Sequence, residues 1–340
     1  MDTRCKNCGA PLYFDTKTHN VFCKSCGSTF FNLNEKSKLK ESEKECVFCG
    51  GKYNDINPLI VTQKCPFCNQ KTIINRRVNE FRGFLVLPYN YYYNEAKEIL
   101  LKKIPPYKNK KYVKKMLEED SKSLYVPFHS YNLYIEGTFT WQCSKTEQVE
   151  DGKDSEGNTK YKTVTETWVE TCTADYDFNN ASIVSSNTLP KAFELTKRTY
   201  KKLTFKNEDL EYLEHKYFLM SKYLFPSDRS DRDTFQDFID YAFDILKDMS
   251  CPANADYLIS YHLSYNPLLV YKDRYEVLIP FYWYRNKKEQ KYYCYVNAFN
   301  GEVKYKCPLN VLFILFLVFL GIIVTGLIIF LFVYLIQRSN

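Results

Sequence analysis

Four C-x-x-C pairs fall within the first 68 residues of this chain, in two tandem sets: Cys5, Cys8, Cys23 and Cys26, then Cys46, Cys49, Cys65 and Cys68. Fourteen residues separate the pairs in the first set and fifteen in the second, enough for a β-hairpin that brings both pairs to one tetrahedral centre. Gly9, Gly27 and Gly50 follow the second cysteine of three pairs and Asn69 follows the fourth. The chain turns sharply there with φ > 0, which glycine allows and asparagine tolerates. The spacing predicts two zinc ribbons, residues 1–33 and 46–80, each holding one Zn²⁺ on four thiolates. A disulfide framework or a redox C-x-x-C is the alternative. It is disfavoured by the regular spacing, the lysine-rich composition and an N-terminus, Met1-Asp2-Thr3-Arg4, without an export signal. Each centre is surrounded by too few apolar side chains to fold alone, so metal is expected to fold each ribbon.

The other end of the chain is apolar. Val311 to Ile336 carries no charge, and as a helix of roughly 39 Å it exceeds the ~30 Å hydrocarbon core of a bilayer. Residues 309–336 are therefore expected to span a membrane once as a tail anchor, with a four-residue tail, 337–340. The N-terminus and the preceding residues are expected on the cytosolic side, in keeping with Lys304 and Lys306 before the span. Gly321 and Gly326 are five residues apart, so they form no G-x-x-x-G dimer face.

The formal charge of +7 is reduced by the metal sites. Four thiolates on one Zn²⁺ carry −2, so two sites bring the chain to about +3. Residues 1–80 hold 13 Lys and Arg against 8 Asp and Glu, formally +5, and about +1 with both metals bound. That is a weak electrostatic footprint for a nucleic-acid binder. Thirty tyrosines point to core packing and strand formation more than to base stacking.

Asn34 to Glu45 mixes charges around a single leucine and is expected to be a solvated linker or a short exposed helix. Residues 81–308 read as a cytosolic α+β region. Phe84 to Tyr89 has the pattern of a buried strand, and Asn94 to Ile104 that of a short helix capped by Asn94 and stopped by Pro105-Pro106. Leu124 to Cys143 and Tyr161 to Tyr176 alternate like the arms of a long β-hairpin with a polar tip. Helical spacing runs over Pro190 to Leu203, Asn207 to Tyr223 and Asp231 to Met249, the last with Phe235, Phe238, Ile239, Ala242 and Ile245 on one face. Strands return at Tyr257 to Tyr265, Arg274 to Tyr284 and Tyr292 to Ala298, with turns at Arg285 to Lys288 and Asn300-Gly301.

Three strands share a motif: Leu85-Val86-Leu87-Pro88-Tyr89, Leu124-Tyr125-Val126-Pro127-Phe128 and Val277-Leu278-Ile279-Pro280-Phe281. Proline cannot donate to a ladder, so each strand is expected to reach a bulge or a sheet edge there. The recurrence fits an internal duplication or independent strand-edge chemistry.

The paired cysteine sets, Leu124 to Phe128, Asp177-Phe178-Asn179-Asn180-Ala181-Ser182, Leu278-Ile279-Pro280-Phe281-Tyr282-Trp283 and Val296-Asn297-Ala298-Phe299-Asn300-Gly301-Glu302-Val303 together resemble bacterial TFIIB-type zinc-ribbon membrane proteins. These are often labelled primosomal replication proteins. The likeness covers most of residues 1–308, with His129 where that family usually has tryptophan. Some members resemble the zinc-ribbon component of Gram-positive membrane-stress operons that also encode a PspA-like protein and an SPFH-type scaffold. The resemblance implies an adaptor that helps hold such a partner at the membrane.

No G-x-S-x-G, Walker loop, G-x-G-x-x-G or H-E-x-x-H occurs, and no enzymatic activity is expected. His19, His129, His215 and His262 are scattered and read as surface or core filler. Asp228 to Asp233 interleaves carboxylates with Arg229 and Arg232, a self-neutralising loop. Cys143, Cys172, Cys251, Cys294 and Cys307 read as buried thiols. The function expected is a membrane-anchored adaptor for protein partners, with a tethered nucleic-acid-binding protein as the alternative. No small-molecule substrate is evident. Tyr13, Phe22, Phe48 and Phe67 are candidate docking residues, unless they pack within their own ribbons.

Overall fold

The computed structural model describes residues 3–30, 45–46, 48–52, 58–73, 78, 80–119, 121–153, 157–189, 205–253, 257–262, 268–286, 289 and 291–339. Most of the Asn34 to Glu45 linker and the helix expected over Pro190 to Leu203 lie outside these residues, as do the hairpin tip at 154–156, Lys287 and Lys288.

The chain is mixed α+β. Strands β1 (Leu12–Phe14), β2 (Val21–Cys23) and β3 (Thr29–Phe30) form one small antiparallel sheet, and β4 (Thr62–Lys64) with β5 (Lys71–Ile73) forms another. The strand-rich middle is one sheet of nine strands. These are β6 (Leu85–Val86), β7 (Ser121–Lys153), β8 (Thr159–Val184), β9 (Glu211–Tyr212), β10 (Tyr223–Leu224), β11 (Tyr257–His262), β12 (Leu268–Arg285), β13 (Tyr293–Asn297) and β14 (Val303–Lys306). Among the described residues four α-helices accompany them: α1 (Tyr93–Lys103), α2 (Lys110–Glu119), α3 (Asp231–Ser250) and α4 (Val311–Ser339).

β7 and β12 are the antiparallel spine, paired from Ser121↔Tyr284 to Glu136↔Leu268. β8 runs along the other side of β7 from Phe128↔Val184 to Lys153↔Thr159, the long hairpin expected from the alternation. β11 pairs with β7 farther along, over Thr140 to Ser144. Alternation sorts the spine's side chains onto two faces. Leu124, Val126, Phe128, Val277, Ile279, Phe281 and Trp283 enter one core. On the other face, Tyr125, Leu278, Tyr282 and Tyr284 meet α1 and α2, and Tyr131, Leu133, Ile135, Phe139 and Trp141 meet Phe238, Tyr241, Ala242 and Leu246 of α3. The tyrosines are core material: Tyr89, Tyr125, Tyr131, Tyr217, Tyr282 and Tyr284 are fully buried.

Two of the three proline motifs mark neither a bulge nor an edge, and the third, at Pro88, follows the end of β6. Pro127 and Pro280 lie inside the paired spine, opposite Leu278 and Tyr125. The nearby register shifts fall at Tyr131/Leu133 and Tyr271/Asp273. Pro127 O accepts from Ser185 N at 3.0 Å, so its nitrogen faces the same flank. On that flank the neighbour changes from parallel β10, at Leu124 and Tyr125, to antiparallel β8, at Phe128. Pro280 repeats the arrangement. Its carbonyl accepts from Ala298 N at 2.8 Å, and its neighbour changes from parallel β6 to antiparallel β13. In both places the proline, which has no N–H to give a ladder, stands at this change of neighbour.

Three expectations are corrected. Asn207 to Tyr223 is not a helix: it holds 3₁₀ turns at Asn207–Asp209 and His215–Leu219, β9, and the start of β10. Pairing of Leu85 with Tyr212 and of Leu124 with Tyr223 overrides helical spacing there. α1 begins one residue earlier than expected, after Tyr92, whose N–H donates to Glu95 Oε2 at 2.6 Å. α2 was not expected, although Asn109 caps it through a 3.0 Å bond from Tyr112 N, and Val113, Met116 and Leu117 bury one face.

Candidate metal centres

Each of the four C-x-x-C turns is closed by the same pair of backbone bonds. Gly9 N donates to Cys5 O at 2.8 Å and Cys5 N to Ala10 O at 2.7 Å. The equivalent bonds recur from Gly27 and Cys23, from Gly50 and Cys46, and from Asn69 and Cys65. All four turning residues are left-handed: Gly9 at φ 73°, Gly27 at 74°, Gly50 at 69° and Asn69 at 60°. The glycine and asparagine positions were therefore legible in the sequence, because an L residue with a β-carbon resists that conformation.

These turns bring the cysteines into two tetrads, Cys5/Cys8/Cys23/Cys26 and Cys46/Cys49/Cys65/Cys68, with the sulfurs of each within 4.8 Å of one another. Sγ–Sγ distances are 3.5 Å for Cys5–Cys26 and Cys8–Cys23, 3.6 Å for Cys46–Cys68 and 3.7 Å for Cys49–Cys65. A tetrahedron with metal–sulfur bonds of about 2.3 Å has edges of about 3.8 Å. A disulfide needs about 2.05 Å, and all eight are free thiols. Both tetrads are positioned to bind a metal ion.

Cys5, Cys23, Cys46 and Cys65, the first cysteine of each pair, are buried; of the second cysteines, Cys8, Cys26 and Cys49 are exposed and Cys68 is half-buried. Hydrogen bonds tune the sulfurs. The Ser28 hydroxyl and then its backbone N–H bring the Cys26 thiol down to about 6. At Cys68 the Gln70 N–H favours the thiolate, but burial and the neighbouring Cys46 and Cys49 outweigh it and push the thiol up to about 12. Phe67 N donates to Cys65 Sγ at 3.4 Å.

Both cysteine modules are fixed to the large sheet. Leu12, Phe14, Val21, Val61 and Ile73 share one core with Tyr125, Leu278 and α1. In the first module, His19 is left-handed at φ 54° and bridges Glu211 Oε1 at 2.8 Å and Asn90 Oδ1 at 3.0 Å. Phe14 stacks on its ring, and Tyr217 donates to Glu211 Oε2. The Glu211 hydrogen bond raises the His19 pKa against the effect of burial. In the second, Val61 N donates to Lys222 O at 3.0 Å and Thr62 Oγ1 to Phe218 O at 2.6 Å. Thr3 Oγ1 donates to Lys71 O at 2.8 Å and joins the two modules. Of the four aromatic docking candidates, Phe67 is 69% exposed and Tyr13 42%, whereas Phe48 packs against Cys46 and Cys65. Phe22 is partly buried beside Tyr13.

One cluster was missed in the sequence. Buried His129 lies with Asp231 and Glu276, their ligand atoms within 4.8 Å. His129 Nδ1 is 2.7 Å from Thr234 Oγ1, and its Nε2 is 3.4 Å from Glu276 Oε1. Arg274 already forks onto Asp231 and lies 3.8 Å from Glu276. Burial, then Arg274, lowers the His129 pKa to about 4. Neutral histidine and a satisfied carboxylate make this a structural network that clamps the start of α3 to the spine. Among the remaining thiols, Cys143, Cys294 and Cys307 are buried as expected. Cys172 is intermediate, and Cys251 is exposed, which corrects its assignment to the core.

The apolar helix is present as well. Val311–Leu331 is 21 residues, long and apolar enough to cross a membrane, and is not buried against the rest of the protein. Fold and sites together define a mixed α+β protein with two four-thiol metal sites and one apolar C-terminal helix. No protein family, curated protein or solved structure matches the chain.

Proposed function

We propose that this protein is a membrane-anchored zinc-ribbon adaptor. Both ribbons carry Zn²⁺, the apolar helix crosses the bilayer once, and the ribbons recruit protein partners at the cytosolic face. The observation that carries this reading is the shared core of Leu12, Phe14, Val61, Ile73 and Tyr125. It holds both thiol sites on the sheet whose last strand leads into the apolar helix, so anything bound by the ribbons is held near the membrane surface. Zinc is favoured because four thiolates in a tetrahedron suit a soft-tolerant, redox-inert ion. Phe67 and Tyr13 present exposed aromatic surface of the kind that anchors protein interfaces. By the sequence resemblance, the partner is an SPFH-type scaffold or a PspA-like protein of a membrane-stress system.

A crosslinked pull-down from membranes tests the proposal. The intact chain should capture a protein partner, and Phe67→Asp together with Tyr13→Asp should lose it while two metals remain bound. Unchanged capture, with tight and salt-sensitive DNA binding by the intact chain, would favour the nucleic-acid reading instead.

A further inference from the structure

A lysine-bearing helix is clasped to the root of the apolar helix. Asn310 N donates to Tyr107 O at 2.7 Å, Asn109 N donates to Pro308 O at 2.9 Å, and Lys108 bridges to Leu309. Each asparagine then starts a helix. Asn109 Oδ1 accepts from Tyr112 N at 3.0 Å ahead of α2, and Asn310 Oδ1 accepts from Phe313 N at 3.4 Å ahead of α4. No linker separates the two helix starts.

α2 buries Val113, Met116 and Leu117 and turns Lys110, Lys111, Lys114 and Lys115 outward. Between Lys102 and Lys115 there are seven lysines and no acidic residue. Among the described residues, none of the four outward lysines of α2 forms an ion pair. Helix physics alone disfavours this pattern. Lys110 and Lys111 sit at the positive end of the dipole, and the pairs Lys110/Lys114 and Lys111/Lys115 set like charges one turn apart. An external polyanion would relieve both. Beside the clasp, Tyr107 is 45% and Leu309 50% exposed, residue types suited to the headgroup level of a bilayer.

We propose that Lys110, Lys111, Lys114 and Lys115, flanked by Lys102, bind the anionic phospholipid headgroups of the membrane that α4 enters. The proposal rests on the reading of α4 as an anchor. The first turn of α2 begins one residue from the clasp, inside the Debye length of about 8–10 Å over which an anionic surface acts at physiological salt. Each lysine so placed shifts the local equilibrium about five-fold. The patch would hold the domain against the bilayer and place it on the more anionic leaflet.

The test is amine-acetylation footprinting of the full chain in sealed vesicles of phosphatidylcholine, with or without phosphatidylglycerol. The four lysines should react at least about three-fold more slowly in the anionic vesicles. Lys17 and Lys160, far along the chain from the clasp, should be unaffected, and high salt should remove the difference. K110Q/K111Q/K114Q/K115Q should abolish the lipid dependence at Lys102 while the chain stays resistant to carbonate extraction. Equal rates in both lipids would overturn the proposal, as would equal protection by free phosphate or duplex DNA in neutral vesicles. Carbonate extraction of the chain from both lipids would overturn the anchor reading alone, since slowed acetylation would still be read on bound chain.

Discussion

Pro127 and Pro280 lie diagonally across the spine, two residues apart in register and in matched surroundings, Pro127 opposite Leu278 and Pro280 opposite Tyr125. The match extends outward. β6 ends before Pro88, four residues ahead of the α1 cap at Tyr92, and β10 ends before Pro226, four residues ahead of the α3 cap at Ser230. Leu87 N donates to Leu278 O at 3.0 Å, and Phe225 N donates to Tyr125 O at 3.3 Å. Two stretches of the middle region thus share the order short strand, helix, long paired strand, and each places its short strand beside the other's spine strand, β6 on β12 and β10 on β7. The repeat pairs Leu85 to Pro88 with Tyr223 to Pro226, a partner that the shared leucine-and-proline motif does not reveal.

Alanine at Pro127 or at Pro280 should destabilise the protein by about 0.4–1 kcal/mol, because it restores backbone freedom to the unfolded chain that proline removes. The two losses should be similar in size. Urea unfolding followed by tyrosine and tryptophan fluorescence measures them; a loss at one site and none at the other would contradict the equivalence.

Serine at Cys23 should remove one metal per chain and leave the second site loaded. Elemental analysis should then fall from two metals to one. Because Cys23 is buried in the core that includes Tyr125 and Leu278, the variant should also lower the unfolding midpoint of the middle region.

Docking of the first cysteine module should depend on pH. His19 has a folded pKa raised above its usual 6.5 by the Glu211 hydrogen bond, so its contribution is complete below about 6.5 and is lost as pH rises through the raised value. The Glu211 pKa is lowered: burial opposes ionisation, and the hydrogen bonds from His19 and Tyr217 outweigh it. Its contribution is therefore present above about 4.5 and lost as pH falls through the lowered value. The pair is strongest between about pH 5 and 6.5. The two side chains are 26% and 32% exposed, so solvent screening limits the effect to ~1 kcal/mol. Protection factors at Val21 and Phe22, with the intrinsic rise of exchange with pH divided out, should fall from pH 6 to pH 8, and Glu211→Gln should flatten the fall.

Removal of residues 311–340 should release the chain from membranes at high salt, where the lysine contacts are screened, without unfolding it, since Pro308 and Asn310 keep their bonds to Asn109 and Tyr107. Fractionation of the truncated chain checks this; a chain that stays with membranes would place a second attachment elsewhere.

Local rules made the cysteine sites legible, because ligand spacing and the left-handed turns at Gly9, Gly27, Gly50 and Asn69 are set within a few residues. α3 was legible from its apolar stripe, since Phe235, Phe238 and Ala242 need one partner surface. The segment from Asn207 to Tyr223 was not. Its conformation is set by Leu85, Leu124 and His19, far away in sequence, and local spacing carries no trace of them. His129 was illegible for the same reason, because Thr234, Arg274 and Glu276 come from other elements.

The most direct measurement of the account is zinc released per chain when protease is added to one side of sealed native vesicles, read with a zinc-chelating dye. Protease on the cytosolic side should release two zinc ions per chain, matching the two tetrads, and protease on the opposite side none. Release only from the opposite side, or cleavage of the N-terminal 73 residues without zinc release, would contradict it.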